Sequence, residues 1–317
     1  MPKPPEIDEL IKSGVVKMGN DPSLEIRRIP VGIPSFDSMI GGGMPAGRVV
    51  LTYGPESTGK TLLAQIIAKA IQQTARPHIL YMDMERSYDE VWWQQSGVDT
   101  TKLMISAPAT AEQAIDIIRS VLPMPDLGMV VLDSIAAMTP MPEMDPEKSS
   151  EEKTIGLQAR VVTLMFRQIL PLLDGVVFLA TNQMRESIGQ PDELGSLPGG
   201  RAQRHYSHLI LRTRRESWIT DSNGSRIGYN MEVTPRKNKV APLVEGITLP
   251  ILFHGQLDLL TSHLEAAIER KLVTRRGPYY YYGALGSPGC LGLQALRQHF
   301  LDDEAALEHL KMELGVA

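Results

Sequence analysis

A glycine-bracketed segment between an apolar run and a helical pattern constrains the fold most. The stretch RVVLTYGPESTGKTLLAQIIAKAIQQ contains G-x-x-x-x-G-K-[ST] in full, from Gly54 to Thr61. In a strand–loop–helix order, backbone N–H groups and the amino end of the helix surround a phosphate. The motif therefore predicts a nucleotide site, with Lys60 at the β/γ-phosphates and the Thr61 hydroxyl on Mg²⁺. The predicted nucleotide contacts are Gly54, Pro55, Glu56, Ser57, Thr58, Gly59, Lys60, Thr61 and Leu62.

Apolar runs alternate with helical patterns from residue 31 onward. Five of them, RVVLTY, HILYMDME, KLMISA, MVVLDS and GVVFLATNQ, are typical of strands buried on both faces. The alternation predicts parallel βαβ units in an α/β fold with a mostly parallel central sheet. After residue 205, HLILRTRRESW, YNMEVTPRKN and ITLPILF predict strands joined by turn-rich segments. We expect these to be antiparallel strands added at the edge of the sheet.

The patterns divide the chain into three predicted parts. Residues 1–30 hold one very short helical pattern, PPEIDELIKSG, and residues 31–256 hold the α/β core. Residues 257–317 hold helical patterns on either side of the Pro/Gly-rich RRGPYYYYGALGSPG, which predicts a small α-rich C-terminal domain. A free helix as short as the first is marginal in water, so we expect it to dock on another surface.

Composition excludes several classes of protein. With one cysteine, Cys290, in 317 residues, the chain has no intramolecular disulfide and no multi-cysteine metal site. It has no signal-peptide core and no run of 18 apolar residues, so we expect a cytoplasmic protein without a membrane partner, in the host cytoplasm if a phage encodes it. The net charge of −5 excludes a protein that is basic all over.

Positive charge is nevertheless concentrated in one region. Residues 158–239 contain 12 Lys/Arg and 7 Asp/Glu, in a chain that has 32 and 37 overall. Such a footprint is expected for a phosphate-backbone partner. The alternative is that positive charge is unevenly distributed over the surface without binding any partner.

Polar residues end three of the predicted core strands. Asp133 closes MVVLDS, where a phosphate loop needs a second magnesium anchor. Glu85 is the candidate base for activating water, and Asp83, two residues earlier on the same side, is the weaker candidate. Asn182 and Gln183 end the fifth strand at the edge where open α/β sheets bind ligands, so an amide there could sense a γ-phosphate. A simple strand cap is the alternative for this pair.

Two further features lie in the basic region or beside it. Lys237 and Lys239 share one face of an extended chain and could stabilise phosphate charge, including that of a neighbouring subunit. The alternative is that these lysines are solvated charges that only prevent aggregation at an exposed sheet edge. The polar segments 141–156 and 185–201 follow ligand ends of strands, and long loops in such places usually carry function.

Taken together, the motifs resemble the RecA family of recombinases. GPESTGKT, DMERSYDEVWWQQSGVD, VVLDSIAAMTP, GLQAR, ATNQMR, the Gly199–Gly200 pair and RKNKVAP occur in the family's order and spacing. The match spans roughly residues 25–300, and the bacterial and bacteriophage branch is the most similar. The resemblance implies an ATP-driven helical filament on single-stranded DNA that catalyses homologous pairing and strand exchange with double-stranded DNA.

The resemblance also implies roles for individual residues. Glu85 matches the catalytic glutamate, and Gln183 matches the glutamine that couples the γ-phosphate to DNA binding. Lys237 and Lys239 match the pair that reaches the ATP of the neighbouring subunit. Asp89 and Trp92 fall where the family contacts adenine, and the usual aromatic there is tyrosine. The residues that match or border the two DNA-binding loops are Arg160, Arg167, Arg185, Gly199, Gly200 and Arg201.

Several positions depart from the family pattern. The N-terminal helix, which docks on the neighbouring subunit, is much shorter, and the acidic C-terminal tail of bacterial relatives is absent. The second DNA loop is about one residue shorter, with Ser187 where a lysine is common and no aromatic in its middle. We expect the shorter helix to affect filament contacts, and the changes in the second loop to affect DNA affinity and strand exchange.

The sequence favours a DNA-dependent ATPase and recombinase that self-associates and uses ATP and Mg²⁺, with single-strand-binding and mediator proteins as further partners. One alternative is a regulatory paralogue that binds DNA or a recombinase without strand exchange. Another is a ring-shaped translocase or helicase. No sequence feature indicates the phosphoryl-acceptor pocket that a nucleotide kinase would need.

Overall fold

The computed structural model describes residues 7–141, 156–184, 197–221, 223–253, 256–283 and 289–316. Its helices are α1 (Ile7–Lys12), α2 (Pro34–Ile40), α3 (Lys60–Ile71), α4 (Glu90–Gln95), α5 (Ala111–Val121), α6 (Leu157–Ile169), α7 (Ala202–Tyr206), α8 (Leu259–Glu269), α9 (Gly292–Asp302) and α10 (Glu304–Leu314). Its strands are β1 (Arg28–Ile29), β2 (Met44–Pro45), β3 (Val49–Gly54), β4 (His78–Asp83), β5 (Leu103–Ser106), β6 (Leu127–Asp133), β7 (Val177–Gln183), β8 (Leu209–Thr220), β9 (Arg226–Asn238), β10 (Ile247–Leu252), β11 (Gln256–Leu257), β12 (Val273–Arg276), β13 (Tyr279–Tyr282) and β14 (Cys290–Leu291).

A nine-stranded mixed sheet forms the centre of the molecule, in the order β11-β10-β9-β8-β3-β7-β6-β4-β5. The pairings from β5 across to β8 are all parallel, and those among β8, β9, β10 and β11 are antiparallel. The α/β fold with a mostly parallel sheet and antiparallel edge strands is thereby confirmed.

The prediction for β8 was wrong in one respect. Instead of beginning an antiparallel addition, β8 pairs parallel with β3, from Val50 opposite Leu209 to Tyr53 opposite Arg212. Parallel pairing requires the chain to return to the amino-terminal end of β3 between β7 and β8, and α7 lies in the described part of that connection. The antiparallel part therefore begins one strand later than the sequence patterns indicate.

Apolar side chains cover both faces of this sheet. Along β3, Val49 and Leu51 belong to the cluster with α5 and α6, whereas Val50 belongs to the cluster with α2 and α3. All six residues of β3 are buried. A strand buried on both faces has no polar side, which explains why its sequence reads as a continuous apolar run.

The C-terminal residues have an apolar cluster of their own, built from α8, α9, α10 and the strand β12. The sequence predicted only helices here, but β12, β13 and β14 form a three-stranded sheet in the Pro/Gly-rich stretch. Helix α8 packs on α2 and β10, and His263 Nε2 lies 3.4 Å from the Gly32 carbonyl oxygen. The domain boundaries at residues 30 and 256 stay predictions.

In the described part of the chain, no helix is both long and apolar enough to cross a membrane.

A buried amide network attaches the segment after residue 196 to the end of β7. Asn182 Nδ2 donates to Gln203 Oε1 at 2.7 Å and to the Pro198 carbonyl at 2.9 Å. Gln203 Nε2 donates to the carbonyls of Pro198 at 2.6 Å and Gly200 at 3.0 Å. Both amides are almost fully buried. Asn182 thus attaches the segment around Pro198 and Gln203 to the end of β7, as the strand-cap alternative expected for it.

We expect Asn182→Leu to lower the free energy of unfolding by about 2 kcal/mol, because Gln203 Oε1 would lose its buried donor. Urea denaturation measures this cost. The control is Gln298→Leu, which removes an exposed amide bond to Asp302 and should cost less than ~0.5 kcal/mol. Equal costs for the two variants would contradict the structural role of Asn182.

Candidate nucleotide site

The phosphate loop joins β3 to α3 with a backbone that requires glycine. Gly59 precedes α3 with a φ of 88°, in the left-handed region. A Cβ there would lie 2.6 Å from Met231 Sδ and 3.0 Å from the Tyr229 hydroxyl. A residue with a Cβ is strained at this φ whatever the space around it, so the backbone of the loop favours glycine here, and the nearest atoms of β9 are the ends of the Met231 and Tyr229 side chains.

Lys60 lies inside the curve of the loop. Its Nζ donates to the carbonyls of Gly54 at 3.1 Å and Pro55 at 2.6 Å. Burial lowers the pKa of Lys60, while the carboxylates of Asp133 and Glu85 act in the opposite direction. A partly desolvated ammonium at this place is suited to bind phosphate oxygens.

Asp133, the last residue of β6, is the centre of a hydroxyl network. The Thr61 hydroxyl donates to its Oδ2 at 2.7 Å, and the Tyr81 hydroxyl donates to the same atom at 3.1 Å. The Thr181 hydroxyl donates to Oδ1. Burial is the main cause that raises the pKa of Tyr81, followed by the charge of Asp133, so the phenol remains a donor.

The donor set at Asp133 fits Mg²⁺. This ion prefers oxygen ligands and usually takes one or two from the protein, with water and substrate phosphates completing an octahedron. The Thr61 hydroxyl oxygen and the Asp133 carboxylate are adjacent at the mouth of the loop. Thr61 and Asp133 are therefore the residues that would hold the metal.

Glu85 lies in the same pocket and has two hydrogen-bond donors on one oxygen. Ser134 Oγ donates to Glu85 Oε1, and Gln183 Nε2 donates to the same atom at 3.2 Å. In the described part of the chain Oε2 accepts no hydrogen bond. The residue is exposed, and the two hydrogen bonds on Oε1 orient the carboxylate.

Asp83, the weaker candidate base, has a structural position instead. Its two oxygens accept from the backbone N–H groups of Ser87 at 3.0 Å and Tyr88 at 2.9 Å. The side chain is only 3% exposed and fixes the turn that follows β4. Of the two carboxylates, only Glu85 lines the pocket.

A cavity of about 650 Å³ connects these groups, within the range of small-molecule sites. Its lining residues are Glu56, Ser57, Thr58, Gly59, Lys60, Thr61, Leu62, Glu85, Trp92, Asp133, Gln183, Arg215, Trp218, Tyr229 and Phe253. Three predicted contacts, Gly54, Pro55 and Asp89, are not among them. Asp89 caps α4 by accepting from the Trp92 backbone N–H at 2.9 Å, and this cap places Trp92 at the cavity.

Lys237 and Lys239 lie outside this lining. Lys237 Nζ donates to the carbonyls of Arg204 and His205 in α7. Burial lowers its pKa to about 8, with Lys239 and Arg204 contributing repulsion. Within one subunit the lysine pair is therefore separate from its own phosphate loop, and a role at a neighbour's nucleotide stays a prediction.

The predicted DNA-binding residues divide into two kinds. Arg160 and Arg167 are exposed on α6 and line a second cavity of about 670 Å³ on that helix. Gly199 and Gly200 have positive φ, and a Cβ on them would lie 2.6 Å from Ile135 Cγ2 and 2.8 Å from Ala159 Cβ, respectively. Backbone conformation and packing together thus account for both glycines without a contact to DNA.

Two predicted DNA contacts remain. Arg201 is exposed at the start of α7, whereas Arg185 lies outside the described residues.

Sequence reasoning missed seven residues around the pocket. Ser134 was recognisable in retrospect because it directly follows Asp133, whereas Tyr81 and Thr181 read as ordinary strand positions. The others line the pocket from the antiparallel side of the sheet, and no local pattern connects them with the loop: Arg215, Trp218, Tyr229 and Phe253.

Comparison with known proteins identifies the family. The family model described as RecA N-terminal domain matches residues 6–258. Protein RecA of Thermus aquaticus is 32% identical over 283 residues, covering 87% of this chain and 81% of the relative. Protein RecA of Cytophaga hutchinsonii is 30% identical over 311 residues, covering 96% and 85%. With this match and the geometry of the phosphate loop, the chain belongs to the RecA family of recombinases.

Proposed function

We propose that the protein is an ATP-dependent recombinase that forms filaments on single-stranded DNA and couples DNA-stimulated ATP hydrolysis to strand exchange. The observation that carries the proposal is the hydrogen bond between Gln183 and Glu85. It connects the candidate base for hydrolysis to the last residue of β7, from which the chain continues directly into the predicted DNA loop.

In this proposal the loop and Lys60 bind the phosphates, and Thr61 and Asp133 hold Mg²⁺. When bound, the metal would neutralise charge on the phosphate oxygens. Glu85 would orient a water with its free Oε2 and accept the proton of that water, while Ser134 and Gln183 hold Oε1. Proton transfer of this kind needs a carboxylate within hydrogen-bond reach of the water, which the open side of Glu85 supplies.

Coupling to DNA would pass through Gln183. Its amide has one Nε2 donor bond to Glu85 in this structure, and a γ-phosphate offers a competing acceptor at the same pocket. If Gln183 Nε2 donated to the γ-phosphate instead of to Glu85, the end of β7 and the segment that follows it would move. Arg160, Arg167, Arg185 and Arg201 would supply the positive charge that DNA binding requires.

Self-association would use two features outside the pocket. No residue of α1 is buried, and Ile7 is 72% exposed, which supports docking of this helix on a neighbouring subunit. Lys237 and Lys239 would extend to the neighbour's ATP. Because α1 has six residues in the described part of the chain, a filament contact through it would be small, and the regulatory paralogue is for that reason the second candidate.

The first test is steady-state ATP hydrolysis with and without single-stranded DNA at stated salt concentrations, because phosphate contacts depend on salt. We expect stimulation by DNA that decreases as salt rises. ATP binding without stimulation would contradict the recombinase and favour the paralogue. Unwinding of a forked duplex by a hexamer would favour the ring-shaped translocase.

Glu85→Gln should retain ATP binding and reduce turnover by at least ~10²-fold, because an amide cannot accept the proton. Calorimetry measures the binding, and phosphate release measures the turnover. The matched control is Glu90→Gln, an exposed glutamate at the start of α4, with turnover expected to remain as in the wild type. Unchanged hydrolysis in Glu85→Gln would remove Glu85 as the base.

Replacing Lys237 and Lys239 together by Ala should abolish DNA-stimulated hydrolysis and leave the circular dichroism spectrum and ATP binding of the free subunit intact. The control replaces the partly exposed Lys102 and Lys311, which pair with Asp99 and Glu308, by Ala. If stimulation survives in the first variant, the lysine pair does not act across an interface.

A further inference from the structure

A second wall of the nucleotide pocket comes from β8. This strand runs parallel to β3 up to the pairing of Tyr53 with Arg212, and the Thr213 hydroxyl then lies 2.9 Å from the Thr58 hydroxyl of the phosphate loop. Because β8 continues to Thr220, its last seven residues extend past the end of β3. Each residue of a strand adds roughly 3.3 Å to its length. That extension carries Arg215 and Trp218 to the cavity.

A bulge in β8 places both side chains on the same face. Arg215 pairs with Met231, Ser217 with Asn230 and Trp218 with Tyr229, so Glu216 is the extra residue. In a regular strand, positions 215 and 218 would point to opposite faces. The bulge turns the side chain of Trp218 to the face of the sheet that carries Arg215, and bulges beside functional sites commonly redirect a side chain in this way. Arg215 and Trp218 thereby share the face of Met231 and Tyr229, the two residues nearest Gly59.

Trp218 holds the guanidinium of Arg215 in place. Arg215 Cζ lies 4.3 Å from the centre of the Trp218 ring, and Arg226 Cζ lies 4.4 Å from it. Tyr229 and Phe253 contact the same indole edge to face, with ring centres 6.4 and 6.3 Å away. A cation–π contact of this kind restricts the position of the guanidinium and leaves N–H donors available for a phosphate.

Arg215 differs from its neighbour Arg214 in its electrostatic surroundings. In the described part of the chain no carboxylate forms an ion pair with it, whereas its neighbour Arg214 donates to Glu232 Oε2 at 2.7 Å. The charged residues of the lining are two cations, Lys60 and Arg215, and three carboxylates. Arg215 therefore provides half of the cationic side chains available to a polyphosphate in this cavity.

We propose that Arg215, held by Trp218, binds the polyphosphate of a nucleoside triphosphate within its own subunit. This rests on the proposed nucleotide site and adds a residue to it. The chain's own pocket then has a second cation before any neighbour contributes Lys237 and Lys239, so an isolated subunit binds nucleotide in the absence of DNA.

The test is titration of the DNA-free protein with Mg·ATP by calorimetry. Arg215→Ala should weaken binding about tenfold, the loss expected for one charge-assisted hydrogen bond. Arg214→Ala, which removes the adjacent arginine on the other face, should bind as the wild type does. Arg215→Ala with wild-type affinity would overturn the proposal.

Mg·tripolyphosphate, which lacks base and sugar, separates a phosphate contact from a base contact. Its affinity should fall in Arg215→Ala by the same factor as that of Mg·ATP. A loss confined to ATP would place Arg215 at the base and overturn the proposal. If wild-type protein binds neither ligand, the nucleotide site itself fails, which is a different outcome from a failure of Arg215 alone.

The role of Trp218 is tested by a double-mutant cycle. Trp218→Ala should weaken Mg·ATP binding less than Arg215→Ala does, and the double variant should be no weaker than Arg215→Ala, because Trp218 acts through the arginine. Additive losses would overturn this positioning role. Thermal denaturation of each variant establishes that β8 and β9 remain folded.

Discussion

The carboxylate of Asp133 is the interaction on which the candidate site depends. It is 4% exposed at the end of β6, and a charge this buried is costly unless hydrogen bonds replace water. Hydroxyls from Thr61, Tyr81 and Thr181 provide them. These residues come from α3, β4 and β7, so one carboxylate on β6 joins the helix after the phosphate loop to the two strands on either side of β6.

The antiparallel side of the sheet completes the pocket that the parallel side begins. The side-chain ends of Tyr229 and Met231 of β9 are the atoms nearest to Gly59, where the left-handed backbone favours glycine. Thr213 contacts Thr58 from β8. The phosphate loop therefore contacts β8 and β9, which come late in the chain, and continues into α3. Substitutions in β8 or β9 would alter the loop directly.

Much of this arrangement was predictable from local patterns. The phosphate-loop motif, the apolar strands and the polar residues at their ends each depend on neighbours within a few positions. They predicted the order of elements, Lys60, Thr61 and Asp133 in one pocket, and Glu85 with Gln183 beside them. Carboxyl ends of parallel strands meet at one edge, so strand-end residues could be combined before any contact was known.

The sequence by itself determined the loop, the parallel strands and the family, because motif spacing and periodicity are properties of short segments. Only the tertiary structure decided that β8 runs parallel to β3, that Asn182 binds Gln203 away from the pocket, and that Arg215 and Trp218 line it. These outcomes depend on strand pairing between distant segments and on a bulge at Glu216. One extra residue in a strand exchanges its two faces, and no local pattern in the chain records that exchange.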